Sequence, residues 1–142
     1  MTDVKFYVLN NGSETARRRF ACRLAEKLYR ARSTVHILTR DTGQNSEIDE
    51  MLWTFRDGSF VPHDVIAPGQ PLGDAPVTIG VKAPGGQTSP VVINLAEQMP
   101  EPESGWSCIA EIVGNDEASR QESRRRYARY RELGHTLETH KI

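Results

Sequence analysis

Six arginines lie between residues 120 and 131, and Arg120, Arg124, Tyr127 and Arg131 step by four, three and four. On a helix those steps keep the four side chains within roughly 60° of one another. Like charges at that spacing repel by roughly a few tenths of a kcal/mol per pair, and Glu117 and Glu122 offset only part of it. A planar guanidinium holds a carboxylate or phosphate through two parallel hydrogen bonds. With a tyrosine interleaved and the apolar strand end Ile112-Val113 nearby, the stripe suits an acidic peptide or a phosphate backbone. The plain alternative is a solvated helix face.

A second candidate is the stretch 49–63. Ile48, Leu52 and Phe55 recur on one helical face, while Trp53 falls roughly 140° away from Ile48, on the side expected to be wet. Asp57-Gly58 ends the helix, and Phe60-Val61-Pro62-His63 leaves as an extended segment, because the residue before a proline is pushed out of the helical region. A large aromatic off the core face, followed by an apolar tetrapeptide that cannot be mid-sheet, suggests a contact surface. The alternative is that Trp53 covers a neighbouring loop.

Catalytic arrangements are weakly represented. A phosphate cradle needs glycines between a first strand and its helix, and Asn10-Asn11-Gly12-Ser13-Glu14 offers one glycine and an acid. No GxxxxGK[ST] or GxSxG occurs. His36, His63, His135 and His140 lack the i+4 histidine or adjacent cysteine of a metal site. Asp49-Glu50 reads as solvated helix face. A nucleotide-dependent enzyme therefore survives only as a fold analogy. Neither a cofactor nor a metal is expected, and the chain reads as a non-enzyme.

These candidates need a frame. Residues 4–9 form a strand apolar on both sides apart from Lys5, as in a sheet covered on two faces. Ser13 caps a helix that runs to about Ala31, with Phe20, Leu24 and Leu28 every four residues. That helix also carries Arg17, Arg18, Arg19, Arg23, Lys27 and Arg30, with Arg32 after it. Glu14 and Glu26 precede Arg18 and Arg30 by four. Its basic face is assigned to solubility, with direct DNA contact as a lesser alternative. Residues 34–39 form a second strand, 41–45 a turn, and the helix through 48–55 follows. Residues 64–76 read as a surface loop. Strands follow at 77–81 and 91–95, separated by a Pro/Gly linker at 83–90. After a loop at 100–105, residues 106–113 form a strand with Trp106, Cys108, Ala110 and Ile112 on one face. Asn115 caps a last helix that Gly134 ends. Alternation of strand and helix predicts right-handed crossovers and an α/β fold. The expected architecture is a single three-layer domain over residues 1–142, its mostly parallel sheet flanked by helices. It resembles nucleotide-binding folds without their phosphate loop.

The chain has 142 residues, enough for one domain with a real core, and a net charge of −1. Balanced charge leaves any polyanion partner to a local patch. Cys22 and Cys108 are far apart and read as small apolar residues in a reducing cytosol. No run approaches a membrane span, and a soluble cytoplasmic protein is expected.

Leu52-Trp53 with Ser59-Phe60-Val61-Pro62-His63 resembles the chi subunit of bacterial DNA polymerase III holoenzyme. Phe6-Tyr7-Val8-Leu9, Ala75-Pro76-Val77 and Arg126-Tyr127-Ala128-Arg129-Tyr130-Arg131-Glu132-Leu133-Gly134 agree with it in order and separation. The resemblance spans essentially the whole chain. It implies a non-catalytic replisome adaptor that joins the clamp loader, through the psi subunit, to the acidic C-terminal tail of the single-stranded-DNA-binding protein. That tail ends in aspartates followed by Ile-Pro-Phe. The family's tail-binding residues match Trp53, Val113, Arg124 and Tyr127, with Arg120 and Arg131 beside them, and its psi-facing residue matches Phe60, with Val61 and Pro62. The family has a lysine where this chain has Ala128, a charge for Arg129 or Arg131 to replace. Some members pair instead with a repair helicase through the psi-facing surface. The other reading is direct single-stranded nucleic-acid binding by the same arginines with aromatic stacking.

Overall fold

Parallel strands cannot be joined by tight turns, so each must be followed by a crossover long enough to return the chain to the same end of the sheet. The computed structural model describes residues 2–10, 13–55, 58, 60–68, 70, 75–83, 91–100 and 106–142. They form seven strands and three helices in the order β1 (Asp3–Val8), α1 (Glu14–Arg30), β2 (Val35–Leu38), α2 (Thr42–Thr54), β3 (His63–Val65), β4 (Val77–Gly80), β5 (Val91–Asn94), β6 (Cys108–Val113), α3 (Glu117–Glu132) and β7 (Thr136–Lys141). The sheet order is β3-β4-β2-β5-β6-β1-β7, and every pairing is parallel.

Strand alternation divides the core in two. Ile37, Ile79, Ile93, Ala110 and Ile112 face α1 and α2, which bring Ala21, Cys22, Leu24, Ala25, Ile48 and Leu52. Val4, Phe6, Val92, Ile109 and Val113 face the other way, toward Tyr130 of α3 and Trp106 in the segment before β6. Two helices thus cover one face; α3 covers the other, together with Ala83, Ala96, Met99 and Trp106. Burial pushes the Cys22 thiol up to about 12, in keeping with a small apolar core residue.

Helix ends follow local chemistry. The Ser13 hydroxyl accepts the Ala16 N–H at 3.1 Å, as expected for its cap. The α1 C-terminus closes with Arg32 N–H to Tyr29 O and Ser33 N–H to Leu28 O, both at 2.9 Å. This is the paired closure usually built on a glycine, yet Arg32 occupies the left-handed position at φ 64°. In α3 the same position holds Gly134 at φ 82°.

Several expectations need correction. Residues 41–45 are the start of α2, with Asp41 as its cap accepting the Gln44 N–H at 2.8 Å. Asp116, one residue beyond the expected Asn115, caps α3, while Asn115 donates to Asn10 O at 2.6 Å. Trp106 does not share a face with Ala110 and Ile112; the strand begins only at Cys108, and the Trp106 ring turns to the α3 side and stacks on His36. Two edge strands, β3 and β7, occupy what reads as loop and tail. Asp57, Ser59 and the Gly-Gly linker at 85–86 lie outside the described residues, as does most of the loop at 100–105.

Candidate functional site

The rotation of α3 about its own axis decides which of its arginines meet solvent, and one carboxylate sets that rotation. Glu111 interrupts the apolar run of β6 and points to the α3 side, 2% exposed. Arg126 Nη1 donates to it at 2.7 Å and the Tyr130 hydroxyl at 2.5 Å; Asn94 Nδ2 donates at 3.0 and 3.1 Å. Arg126 and Tyr130 are one helical turn apart, so binding both fixes one face of α3 inward. Arg126 also donates to the Glu97 carbonyl, tying α3 to the segment after β5. Burial and the neighbouring carboxylate raise the Tyr130 pKa, which keeps its hydroxyl a donor. Burial opposes the charge on Arg126, but Glu111 and Glu122 outweigh it and raise its pKa above the ordinary guanidinium value.

With that face inward, Arg120, Arg124, Tyr127 and Arg131 all face solvent. Arg125 pairs with Glu122 at 2.8 Å and Arg129 with Glu132 at 3.3 Å. Arg120, Arg124 and Arg131 have no ion pair among the described residues. Of the two arginines nearest Ala128, Arg129 thus has an acidic neighbour and Arg131 has none among the described residues. Tyr127 is 39% exposed, its ring 5.6 Å from Phe6. Beside it, Phe6, Val113, Ser123 and Arg126 help line a cleft of about 450 Å³ at the carboxyl ends of β1, β5 and β6.

The second surface lies at the β3 edge. Trp53 and Phe60 are 54% and 63% exposed, with rings 5.6 Å apart. His63 lies 4.9 Å from the Trp53 ring, its Nδ1 donating to the Val61 carbonyl at 2.6 Å. Its Nε2 sits 3.0 Å from Asp49 Oδ1 without the alignment of a hydrogen bond. Val65, two residues after His63 on β3, is also exposed. Val61, expected beside Phe60 as surface, is instead 1% exposed and packs in the core with Ile48 and Leu52. It anchors the segment that presents Phe60, and Pro62 is half-buried beside it.

The resemblance groups Trp53 with Val113, Arg124 and Tyr127, whereas in the structure Trp53 stands on a helix of the other face of the sheet. Val113 is buried and Tyr127 exposed on the α3 side, whereas Trp53 belongs to α2, which packs on the opposite side of the sheet. Trp53 sits over β3 and Tyr127 over β1, five strand steps apart, or about 24 Å at the usual interstrand spacing. Among the described residues the Trp53 ring meets those of Phe60 and His63, and the Tyr127 ring meets that of Phe6. Trp53 shares its surface with Phe60.

Where a nucleotide phosphate would sit, at the α1 N-terminus, Glu14 already accepts from Arg17 at 2.8 Å and Gln44 at 3.2 Å. Asn11 and Gly12 lie outside the described residues. No cluster of three His, Cys, Asp or Glu side chains able to hold a metal occurs among the described residues. His36 is buried, with Nε2 donating to Lys82 O at 3.0 Å and Nδ1 accepting from the Thr78 hydroxyl at 2.8 Å. Burial pushes its pKa down to about 4, only partly opposed by the Lys82 carbonyl. Among the described residues no helix is long and apolar enough to cross a membrane. Sequence reasoning missed Glu111, Asn94 and the inward roles of Arg126 and Tyr130. The available signal was a lone carboxylate inside the run Cys108-Ile109-Ala110-Glu111-Ile112-Val113.

The chain matches the family model described as DNA polymerase III chi subunit, HolC, over residues 1–138. It is 37% identical over 142 residues to DNA polymerase III subunit chi of Pseudomonas aeruginosa, covering 100% of this chain and 98% of that one. The subunits chi of Haemophilus influenzae and Escherichia coli K12 are 29% and 28% identical. They cover 97% and 98% of this chain, and 96% and 97% of their own lengths.

Proposed function

Since the chain belongs to the DNA polymerase III chi subunit family and so has a replisome accessory role, we propose that it is a non-catalytic adaptor with two separate docking surfaces. The α3 face takes the acidic C-terminal tail of the single-stranded-DNA-binding protein. The Trp53 and Phe60 patch takes the psi subunit, and through it the clamp loader. The observation that carries this reading is the outward face of α3. Three arginines with no ion pair among the described residues flank a half-exposed tyrosine, beside a mixed polar and apolar cleft to which Phe6 and Val113 contribute. Such a surface matches aspartates followed by a terminal aromatic residue and carboxylate. Arg120, Arg124 and Arg131 supply the charge-assisted bonds, while Tyr127, Phe6 and Val113 receive the aromatic ring.

The test is a titration with a peptide ending Asp-Asp-Ile-Pro-Phe, set against a single-stranded oligonucleotide at physiological salt. The peptide is expected to bind and to weaken as salt is added. Arg124→Ala should cost about 1.5–3 kcal/mol, the range for a hydrogen bond to a charged group. Tight oligonucleotide binding with no peptide binding would mean that the arginines read nucleic acid directly and would sink the adaptor mechanism.

A further inference from the structure

A second basic ridge lies across the sheet from the first. In α1 the positions 19, 23, 27 and 30 follow one another at steps of four, four and three, and all four are exposed. They are Arg19, Arg23, Lys27 and Arg30. The helix has only two carboxylates to set against its cations. Glu14 is held by Arg17 and Arg18, and Glu26, itself buried, lies 3.7 Å from Arg30. Glu47 of the neighbouring α2 is taken by Arg18. Arg19, Arg23 and Lys27 have no ion pair among the described residues. A chain of net charge −1 therefore keeps a line of uncompensated cations on one ridge, although like charges four apart oppose helix formation.

The ridge is about 16 Å long, with cations about 6 Å apart along its axis. It carries charge and nothing else. Among the described residues the large exposed apolar ones are Trp53, Phe60, Val65, Tyr127 and Ile142, none of them in α1. A peptide partner would need an apolar anchor, and a membrane surface an apolar face to bury. A phosphate backbone needs only cations at regular intervals, comparable to the separation of phosphates along an extended strand.

We propose that the outward ridge of α1, made by Arg19, Arg23, Lys27 and Arg30, contacts the phosphate backbone of single-stranded nucleic acid. This contact is independent of the α3 surface, which faces the other side of the sheet. Three or four phosphates make a weak site with a strong salt signature. Each single-strand contact contributes roughly 0.7 to the slope of log affinity against log salt, giving a total of about −2 to −3. Such a slope is about a 30-fold loss between 50 and 200 mM salt.

The test uses the full chain and a labelled oligothymidylate, titrated at several low salt concentrations. The triple variant Arg19→Gln/Arg23→Gln/Lys27→Gln removes charges that have no ion pair among the described residues, so its thermal unfolding should match the parent. Its slope is expected to be shallower by about 2, with at least tenfold weaker binding at 50 mM salt and unchanged affinity for the acidic tail peptide. An unchanged slope and affinity in the triple variant, or no oligothymidylate binding by the parent at 50 mM salt, overturns the proposal. Failure of the peptide to bind the parent would strike the adaptor reading and leave this one standing.

Discussion

Replacing Glu111 by glutamine keeps the side chain's shape and removes its charge, and the network around it turns that small change into a large one. All three neighbours of the carboxylate are donors: the Arg126 guanidinium, the Tyr130 hydroxyl and the Asn94 amide. A glutamine offers one acceptor oxygen and sets an NH₂ group against at least one of those donors. The Arg126 side chain is 10% exposed, so it cannot turn to water. Glu122, at 3.3 Å, is the carboxylate left to it. Removing one partner of a buried pair typically costs about 3–5 kcal/mol, because the other charge stays behind. For a domain of this size that is a fall in Tm of roughly 10–20 °C. Urea unfolding followed by circular dichroism measures it. The double variant Glu111→Leu/Arg126→Met removes both charges and should lose less than the sum of its two single changes, the surplus being the coupling within the pair. A cost below about 1 kcal/mol for Glu111→Gln, or simple additivity in the cycle, would mean that the carboxylate is not holding α3.

Three further outcomes are expected. Arg32→Gly should stabilise the chain by about 0.5–1 kcal/mol in the same assay, since arginine sits where the backbone favours glycine; Gly134→Ala, at the matching position of α3, should destabilise it. Burial holds the His36 pKa near 4 against 6.5 in the unfolded chain, so the unfolded state binds the extra proton between those values. Stability should therefore fall as pH drops from about 6.5 to 4, by on the order of 3 kcal/mol from this residue, and His36→Gln should flatten that part of the pH profile. Trp53→Ala and Phe60→Ala should each weaken psi co-purification by about 2 kcal/mol or more with no loss of stability or of tail-peptide binding, whereas Val61→Ala should cost about 2 kcal/mol of folding stability. Loss of peptide binding in Trp53→Ala would contradict the separation of the two surfaces.

Periodicity made the central strands and α1 legible, because strands buried on both faces carry few alternatives to valine and isoleucine. Trp53, Arg120, Arg124, Tyr127 and Arg131 were legible as exposed by the same arithmetic, since a helical face is a local property. Their grouping was not. Placing Trp53 beside Tyr127 required knowing on which side of the sheet each crossover runs, and that depends on the order of strands far apart in sequence. The edge strands β3 and β7 escaped for another reason. Thr136–Lys141 is polar almost throughout because it has only one neighbour strand and little to bury, so it lacks the pattern by which a strand is recognised. Arg126 was hidden among six arginines, and nothing in its neighbours distinguishes the one that turns inward except Tyr130 a turn later.

The position of β1 has a consequence for how the chain is made. Its only neighbours in the sheet are β6 and β7. Val4 lies across from Ile109 and Leu137, so the first strand to be synthesised waits for the last third of the chain. At synthesis rates of about 5–20 residues per second, roughly 5–20 s pass before β6 exists to receive it. During that time Val4, Phe6 and Val8 have α1 beside them in sequence but no strand partner. The β2 to β5 half has its pairings closer together and can assemble earlier. Folding should thus run from the middle of the sheet outward and close last on the N-terminal strand, a high-contact-order step that sets the overall rate. Chains halted before Cys108 should be held by chaperones or aggregate, and ribosome-bound chains cut to different lengths would show protease resistance at β2 to β5 before β1 becomes protected.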